Sequence, residues 1–137
     1  MDQVIWHKKI NNKNLIMKKK ILIVDDDPRN IFALRLTLKA RGFQMETSTM
    51  AREAIEILKK DPEVGVVLLD MMMPDMDGYA ALKIIRQTPS IRHIPIIAVT
   101  AQAMPEDRQK CLDAGAQDYV KKPIDVDLLL RAIENLF

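Results

Sequence analysis

The 137-residue sequence predicts an α/β fold, a doubly wound (βα)5 arrangement in which five parallel strands carry helices on both faces. Three observations point there. Short apolar runs rich in β-branched residues alternate with stretches whose apolar residues recur at helical spacing. The first, third and fourth runs are solidly apolar, as strands covered on both sides require. The length suits one domain with a single good core.

The elements follow in order. Ile21-Leu22-Ile23-Val24 reads as a buried strand, ended by acidic residues and Pro28. Pro28 suits the first turn of a helix, along which Ile31, Leu34 and Leu38 recur until Gly42 stops it. Gln44 to Ser48 is a weak second strand. Ala51, Ala54, Ile55 and Leu58 then lie on one helix face. Val64 to Leu69 is a continuous apolar strand that ends at Asp70. The loop Met71 to Gly78 leads to a third helix carrying Ala81, Leu82 and Ile85. Ile96 to Val99 is the fourth strand, and Pro105, Glu106 and Asp107 open the fourth helix. Tyr119-Val120 is a short fifth strand. Behind the N-cap Asp125, Val126, Leu129, Leu130, Ile133 and Phe137 stripe the last helix.

Composition narrows the class of function. Apolar residues make up 48% and charged residues 29%, as in an ordinary globular protein. Residues 1–20 hold six lysines against Asp2, a charge of +5, while the rest carries 15 basic and 18 acidic side chains, a charge of −3. The basic balance therefore belongs to a tail, which reads as a solvated leader rather than a nucleic-acid or membrane contact. Residues 1–16 are expected to be this flexible basic tail, with Met17 a candidate natural start, and residues 17–137 the folded domain. The single cysteine, Cys111, cannot form an internal disulfide. No apolar run approaches the ~20 residues that span a bilayer, and Asn11 to Asn14 interrupt any export signal, so the expected location is the cytoplasm.

In an open parallel sheet, ligands bind beyond the carboxyl ends of the strands. Here strand one ends in Asp25, Asp26 and Asp27, strand three in Asp70 and strand four in Thr100; Lys121, Lys122 and Pro123 follow strand five. Carboxylates gathered at one point repel each other unless one is protonated or a cation sits among them. Oxygen ligands without histidine or cysteine suit Mg²⁺, with Mn²⁺ an alternative, rather than zinc. A carboxylate can act as the nucleophile of phosphoryl transfer, given positive charge or donors on the transferred oxygens. Each piece alone has an ordinary reading: an N-cap cluster for the aspartates, a turn for Asp70, a cap for Thr100 and a surface turn for Lys-Lys-Pro. Their convergence on one rim is what points to chemistry.

Val24-Asp25-Asp26-Asp27-Pro28, Asp70-Met71-Met72-Met73-Pro74-Asp75-Met76-Asp77-Gly78, Val99-Thr100-Ala101 and Lys121-Lys122-Pro123 resemble the signature of response-regulator receiver domains, over about residues 19–137. The resemblance implies the flavodoxin-like strand order 2-1-3-4-5. It implies that Asp70 is the phosphoacceptor, served by a histidine kinase or histidine phosphotransfer protein. Asp25, Asp26, Asp70 and the backbone carbonyl of Met72 would hold magnesium, Asp26 directly and Asp25 through water. Thr100 and Lys122 would bind the phosphate, the lysine aimed by a cis bond before Pro123. Thr100 and Tyr119 would switch the face of the fourth helix, fifth strand and fifth helix, where a protein target or a phosphorylation-dependent second copy binds. Met72 and Gln102 would tune the lifetime of the acyl phosphate. Because an apolar Met72 orients no attacking water, self-dephosphorylation is expected to be slow. The domain is then a phosphoacceptor rather than an enzyme.

Two rival readings stay open. One is a magnesium-dependent phosphatase with Asp25 as nucleophile and Asp27 as acid/base, although it leaves Asp70 and its loop unexplained. The other is a phosphate-independent binding module. His7 and His93 lack the helical surroundings of a phosphodonor, Cys111 reads as packing, and Met71 to Met73 as core and loop residues. Gly78 fits a tight turn and Gly115 a helix end. No DNA-binding helix pair or catalytic module follows, so both a free-standing receiver and a piece of a larger regulator or hybrid kinase are open.

Overall fold

A computed structural model describes residues 19–102 and 104–136; the 1–16 tail, Met17, His7 and Phe137 lie outside the described residues. The elements are β1 (Lys20–Val24), α1 (Pro28–Ala40), β2 (Gln44–Ser48), α2 (Ala51–Lys60), β3 (Val64–Asp70), α3 (Gly78–Gln87), β4 (Ile96–Thr100), α4 (Pro105–Asp113), β5 (Asp118–Lys121) and α5 (Val126–Asn135). All strand pairs are parallel, in the order β2-β1-β3-β4-β5. This is the expected doubly wound sheet. The strands reach one residue further than the apolar runs, because Lys20, Thr100 and Lys121 complete ladders with polar side chains.

Alternation along the strands divides the core in two. Leu22, Val24, Val67, Leu69, Ile96 and Ala98 face α2, α3 and α4. Ile21, Ile23, Val66, Leu68, Ile97 and Val99 face α1 and α5. The helices meet this sheet unequally. Helix α2 buries Ala51, Ala54, Ile55 and Leu58, whereas α4 buries Cys111 alone. On α1, Ile31 and Leu38 are buried while Phe32 and Leu36 are 65% and 57% exposed.

Three helix starts carry aspartate caps: the sequence points to Asp125 and to the Asp25–Asp27 cluster, while the cap at Asp77 is seen only in the structure. Asp27 accepts from the Arg29 amide, Asp77 from that of Ala80, and Asp125 from those of Asp127 and Leu128. Gly42 and Gly115 take φ of 91° and 115° just past α1 and α4, as helix ends require. Gly78 differs from its expected role. The left-handed residue of its loop is Asp75, with φ of 68°, and Gly78 is instead the buried first residue of α3. A Cβ there would lie 2.6 Å from the Met71 Cα, so glycine is required by close approach of two backbones.

The end of the sheet opposite the carboxyl rim is fastened by two polar groups. Lys20 Nζ pairs with Asp61 Oδ2 at 2.9 Å, joining the start of β1 to the turn before β3. Arg86 at the end of α3 donates to the carbonyls of Gly115, Arg92 and Ile94 and to Gln117 Oε1, at 2.8–3.0 Å. Gln117 Oε1 also accepts from the Ile96 amide at 2.7 Å. One guanidinium thus ties α3 to the segments that precede β4 and β5.

Candidate functional site

The strand order reverses between β1 and β3, so their loops diverge and leave a crevice at the carboxyl rim. Asp70 ends β3 beside Val99 of β4, and Asp25 follows the last residue of β1, with its amide held by the Ser48 carbonyl at 3.1 Å. Both aspartates are buried, at 3% and 7% exposure, while Asp26 is exposed. Oxygen atoms of Asp25, Asp26 and Asp70 lie within 4.8 Å of one another.

Lys122 closes the site from β5. Its Nζ stands 3.2 Å from Asp25 Oδ2 and 3.2 Å from Asp70 Oδ2. Burial disfavours its charge, but the Asp70 and Asp25 carboxylates outweigh that and hold the ammonium above the ordinary lysine value. The Lys122 amide donates to the Thr100 carbonyl at 2.8 Å, fixing the loop to the end of β4, and the Lys122–Pro123 bond is cis. Lys121 is exposed and takes no part in the cluster.

The remaining acceptor atoms are already oriented. Asp25 Oδ1 accepts from the Asp27 amide at 2.9 Å, and Asp70 Oδ1 from the Met72 amide at 3.0 Å. Each carboxylate therefore keeps its second oxygen toward Lys122. Met71 and Met73 are buried, but Met72 is 54% exposed above Asp70. Asp27 is spent on capping α1, and the backbone and side-chain donors of Arg29 hold its carboxyl below the usual range.

Thr100 is 1% exposed, and its Oγ1 accepts from the Gln102 amide at 3.1 Å. The Tyr119 hydroxyl donates to the Gln102 carbonyl. Burial, and behind it the charge of Asp107, raises the Tyr119 pKa. One peptide segment is therefore held from one side by Thr100 and from the other by Tyr119. Cys111 is fully buried against the Tyr79 hydroxyl, and His93 is an exposed loop residue.

Sequence reasoning missed a groove of about 500 Å3 that starts at the site and runs between α1 and the β5–α5 loop. Asp25 and Lys122 form part of its lining, together with Ala33 and Leu34 of α1. Its signal was faint: Leu34 belongs to the apolar stripe, but nothing in the spacing shows that the stripe is left partly uncovered.

This geometry, with three strand-end carboxylates and one lysine on a five-stranded parallel sheet, meets an independent match. The response regulator receiver domain model covers residues 21–134, and the chain belongs to that family. A probable cyclic di-GMP phosphodiesterase of Vibrio cholerae is 41% identical over 109 residues, which are 80% of this chain but 24% of that protein. The chain thus spans about a quarter of that relative's length. Among solved structures, Vibrio cholerae chemotaxis protein CheY4 superposes with a TM-score of 0.79 at 28% identity, covering 87% of this chain and 98% of that one. The receiver domain of the Pseudomonas aeruginosa sensor histidine kinase PA1611, solved with magnesium in its active-site cleft, gives 0.77 at 32% identity over 85% and 95%. No helix among the described residues is long and apolar enough to cross a membrane.

Proposed function

We propose that Asp70 accepts a phosphoryl group from a histidine kinase or histidine phosphotransfer protein in a magnesium-dependent reaction. The observation that carries this reading is the position of Lys122 Nζ, 3.2 Å from both Asp70 and Asp25 within a cluster of three carboxylates. One ammonium cannot neutralise three acids, so the cluster retains a negative balance that a hard divalent cation fits. Asp25, Asp26, Asp70 and the Met72 carbonyl would hold the ion, which supplies charge neutralisation on the transferred phosphoryl oxygens. The magnesium in the similar Pseudomonas aeruginosa receiver supports the same assignment.

Within the chain's own residues the division of labour follows from position. Asp70 Oδ2 is the nucleophile, because Oδ1 is engaged by the Met72 amide. Lys122 meets the incoming negative charge, and Thr100 donates its hydroxyl proton, which the bond accepted from the Gln102 amide leaves free. A shift of Thr100 toward the phosphoryl group pulls on the segment that Tyr119 also holds, so phosphorylation rearranges the α4–β5–α5 face, where a protein target or a second copy binds. Met72 and Gln102 set the lifetime; the exposed thioether orients no water, so the acyl phosphate persists well beyond seconds. The cytoplasm suits this chemistry. Asp27, committed to its cap, makes a poor acid/base for the phosphatase alternative.

The test is intact mass after incubation with Mg²⁺ and acetyl phosphate. One phosphoryl group (about 80 Da by atomic mass, as an acyl phosphate) is expected on wild type and none on Asp70→Asn. An adduct that survives in the variant would transfer the role to Asp25, and no adduct on either would favour a phosphate-independent binding module.

A further inference from the structure

Of the five helices, α4 is the least anchored by burial, because Cys111 alone among its nine residues is buried. That side chain meets a neighbouring element. The hydroxyl of Tyr79, in the first turn of α3, shares a hydrogen bond of 3.6 Å with the Cys111 thiol. Burial, and next the bond to Cys111, raises the pKa of that hydroxyl, so it stays protonated. The exposed Lys110 places its Nζ 4.5 Å from the centroid of the same ring. Tyr79 is thus gripped twice by one turn of α4. Its own backbone is fixed to the site. Met71, next to Asp70, accepts from the Gly78 amide at 3.2 Å and donates its amide to the Val99 carbonyl at 2.9 Å. Gly78 leaves no room for a Cβ against the Met71 Cα. The root of the Tyr79 side chain therefore cannot follow α4 if that helix moves.

We propose that Tyr79 is a latch that sets the resting position of α4 and opposes its release when Asp70 is phosphorylated. This rests on the reading of Asp70 as phosphoacceptor. The pull on α4 comes at its start: Thr100 and Tyr119 hold the peptide segment at Gln102, and the helix begins shortly beyond it at Pro105. The opposing hold comes through Cys111 and Lys110, further along the helix. Helix α4 accordingly has two arrangements, one with both Tyr79 contacts made and one with both broken. A phosphoryl group on Asp70 favours the second, and the latch favours the first. Linkage makes the two effects reciprocal, so whatever weakens the latch tightens binding at Asp70 by the same factor. Tyr79 acts through α4 and is a positioning residue.

Cys111 is the single cysteine of the sequence, so alkylation of the intact protein by iodoacetamide reports the opening of α4 and nothing else. Tyr79→Phe keeps the ring and removes the hydroxyl. Loss of one such hydrogen bond predicts a rise of about two- to tenfold in the alkylation rate without ligand. Calorimetric titration with beryllium fluoride, a tetrahedral mimic of the phosphoryl group, in Mg²⁺ is expected to show binding tightened by the same factor. Lys110→Gln, at an exposed position, removes the ammonium over the ring and is expected to move both readouts the same way by about two- to fivefold; it decides the matter should Tyr79→Phe fold poorly. Saturating beryllium fluoride is expected to speed alkylation of the wild type. Faster alkylation of a variant with unchanged beryllium fluoride affinity overturns the inference, because Tyr79 then only packs against Cys111. An unchanged alkylation rate in Tyr79→Phe, or a wild-type rate indifferent to beryllium fluoride that does bind, also overturns it and leaves the receiver reading intact. Absence of beryllium fluoride binding to wild type and variants alike overturns the receiver reading, and the latch with it.

Discussion

At the scale of single residues, the site shows one lysine serving two buried carboxylates that also face an exposed third. Removing a donor aimed at developing charge typically costs about 10²–10³-fold in rate. Lys122→Ala is therefore expected to slow phosphorylation of Asp70 by at least about 10²-fold, measured as adduct formation with acetyl phosphate. Asp26 behaves differently because it is exposed and only adds negative charge. Its replacement by asparagine removes one of three gathered carboxylates, so in a chelator the melting temperature is expected to rise. The same variant gains less from added Mg²⁺, because ligand stabilisation follows affinity for the folded state. An unchanged melting temperature in chelator would show that Asp26 stands too far into water to feel its neighbours.

At the scale of elements, caps and ties give graded outcomes. Asp125→Ala removes the acceptor for two amides at the start of α5 and is expected to cost about 1 kcal/mol in denaturant titrations. The Lys20–Asp61 pair predicts a pH profile. The Lys20 ammonium beside Asp61, aided by the Glu63 amide, lowers the pKa of the Asp61 carboxyl, and the same pair raises that of Lys20. Its stabilisation is fully present above the unfolded aspartate pKa of about 3.9 and is lost as pH falls through the lower folded value. It is likewise present below about 10.4 and lost as pH rises through the raised lysine value. Melting temperatures across pH 2–5 should fall less steeply for Asp61→Asn than for wild type, as linkage requires.

The elements also show what was legible in the sequence. Strands β1, β3 and β4 announced themselves as unbroken apolar runs, because both faces are covered. Strand β2 read weakly for a physical reason: Gln44 to Thr47 lie at the sheet edge with only Ser48 buried. The meeting of Asp25, Asp26, Asp70 and Lys122 at one rim was legible, since strand ends in such a sheet converge by topology. Arg86 was not legible, because its partners are mostly backbone carbonyls, which leave no mark in a sequence. Gly78 was read as a turn because a sequence shows that glycine is present, not whether torsion or proximity demands it.

At the scale of the whole molecule, Arg86 joins segments that the sheet alone leaves separate. Its burial lowers its pKa, and its donors pair the carbonyls of Gly115, Arg92 and Ile94. Arg86→Lys retains charge but cannot reach these acceptors together. With part-buried carbonyls losing this partner, the loss is expected to be about 1–2 kcal/mol in global unfolding, with the transition still a single cooperative step. Loss of cooperativity, with β5 melting first, would mean that the two halves of the sheet depend on this side chain for their coupling.

Helix α4, held to the body by the buried side chain of Cys111, carries a further consequence. Its outward positions can change through successive single substitutions without any intermediate losing the fold. Descendants of such a chain can thus acquire new recognition surfaces beside a constant chemical centre, and duplicated copies can drift apart in specificity long before they differ in architecture.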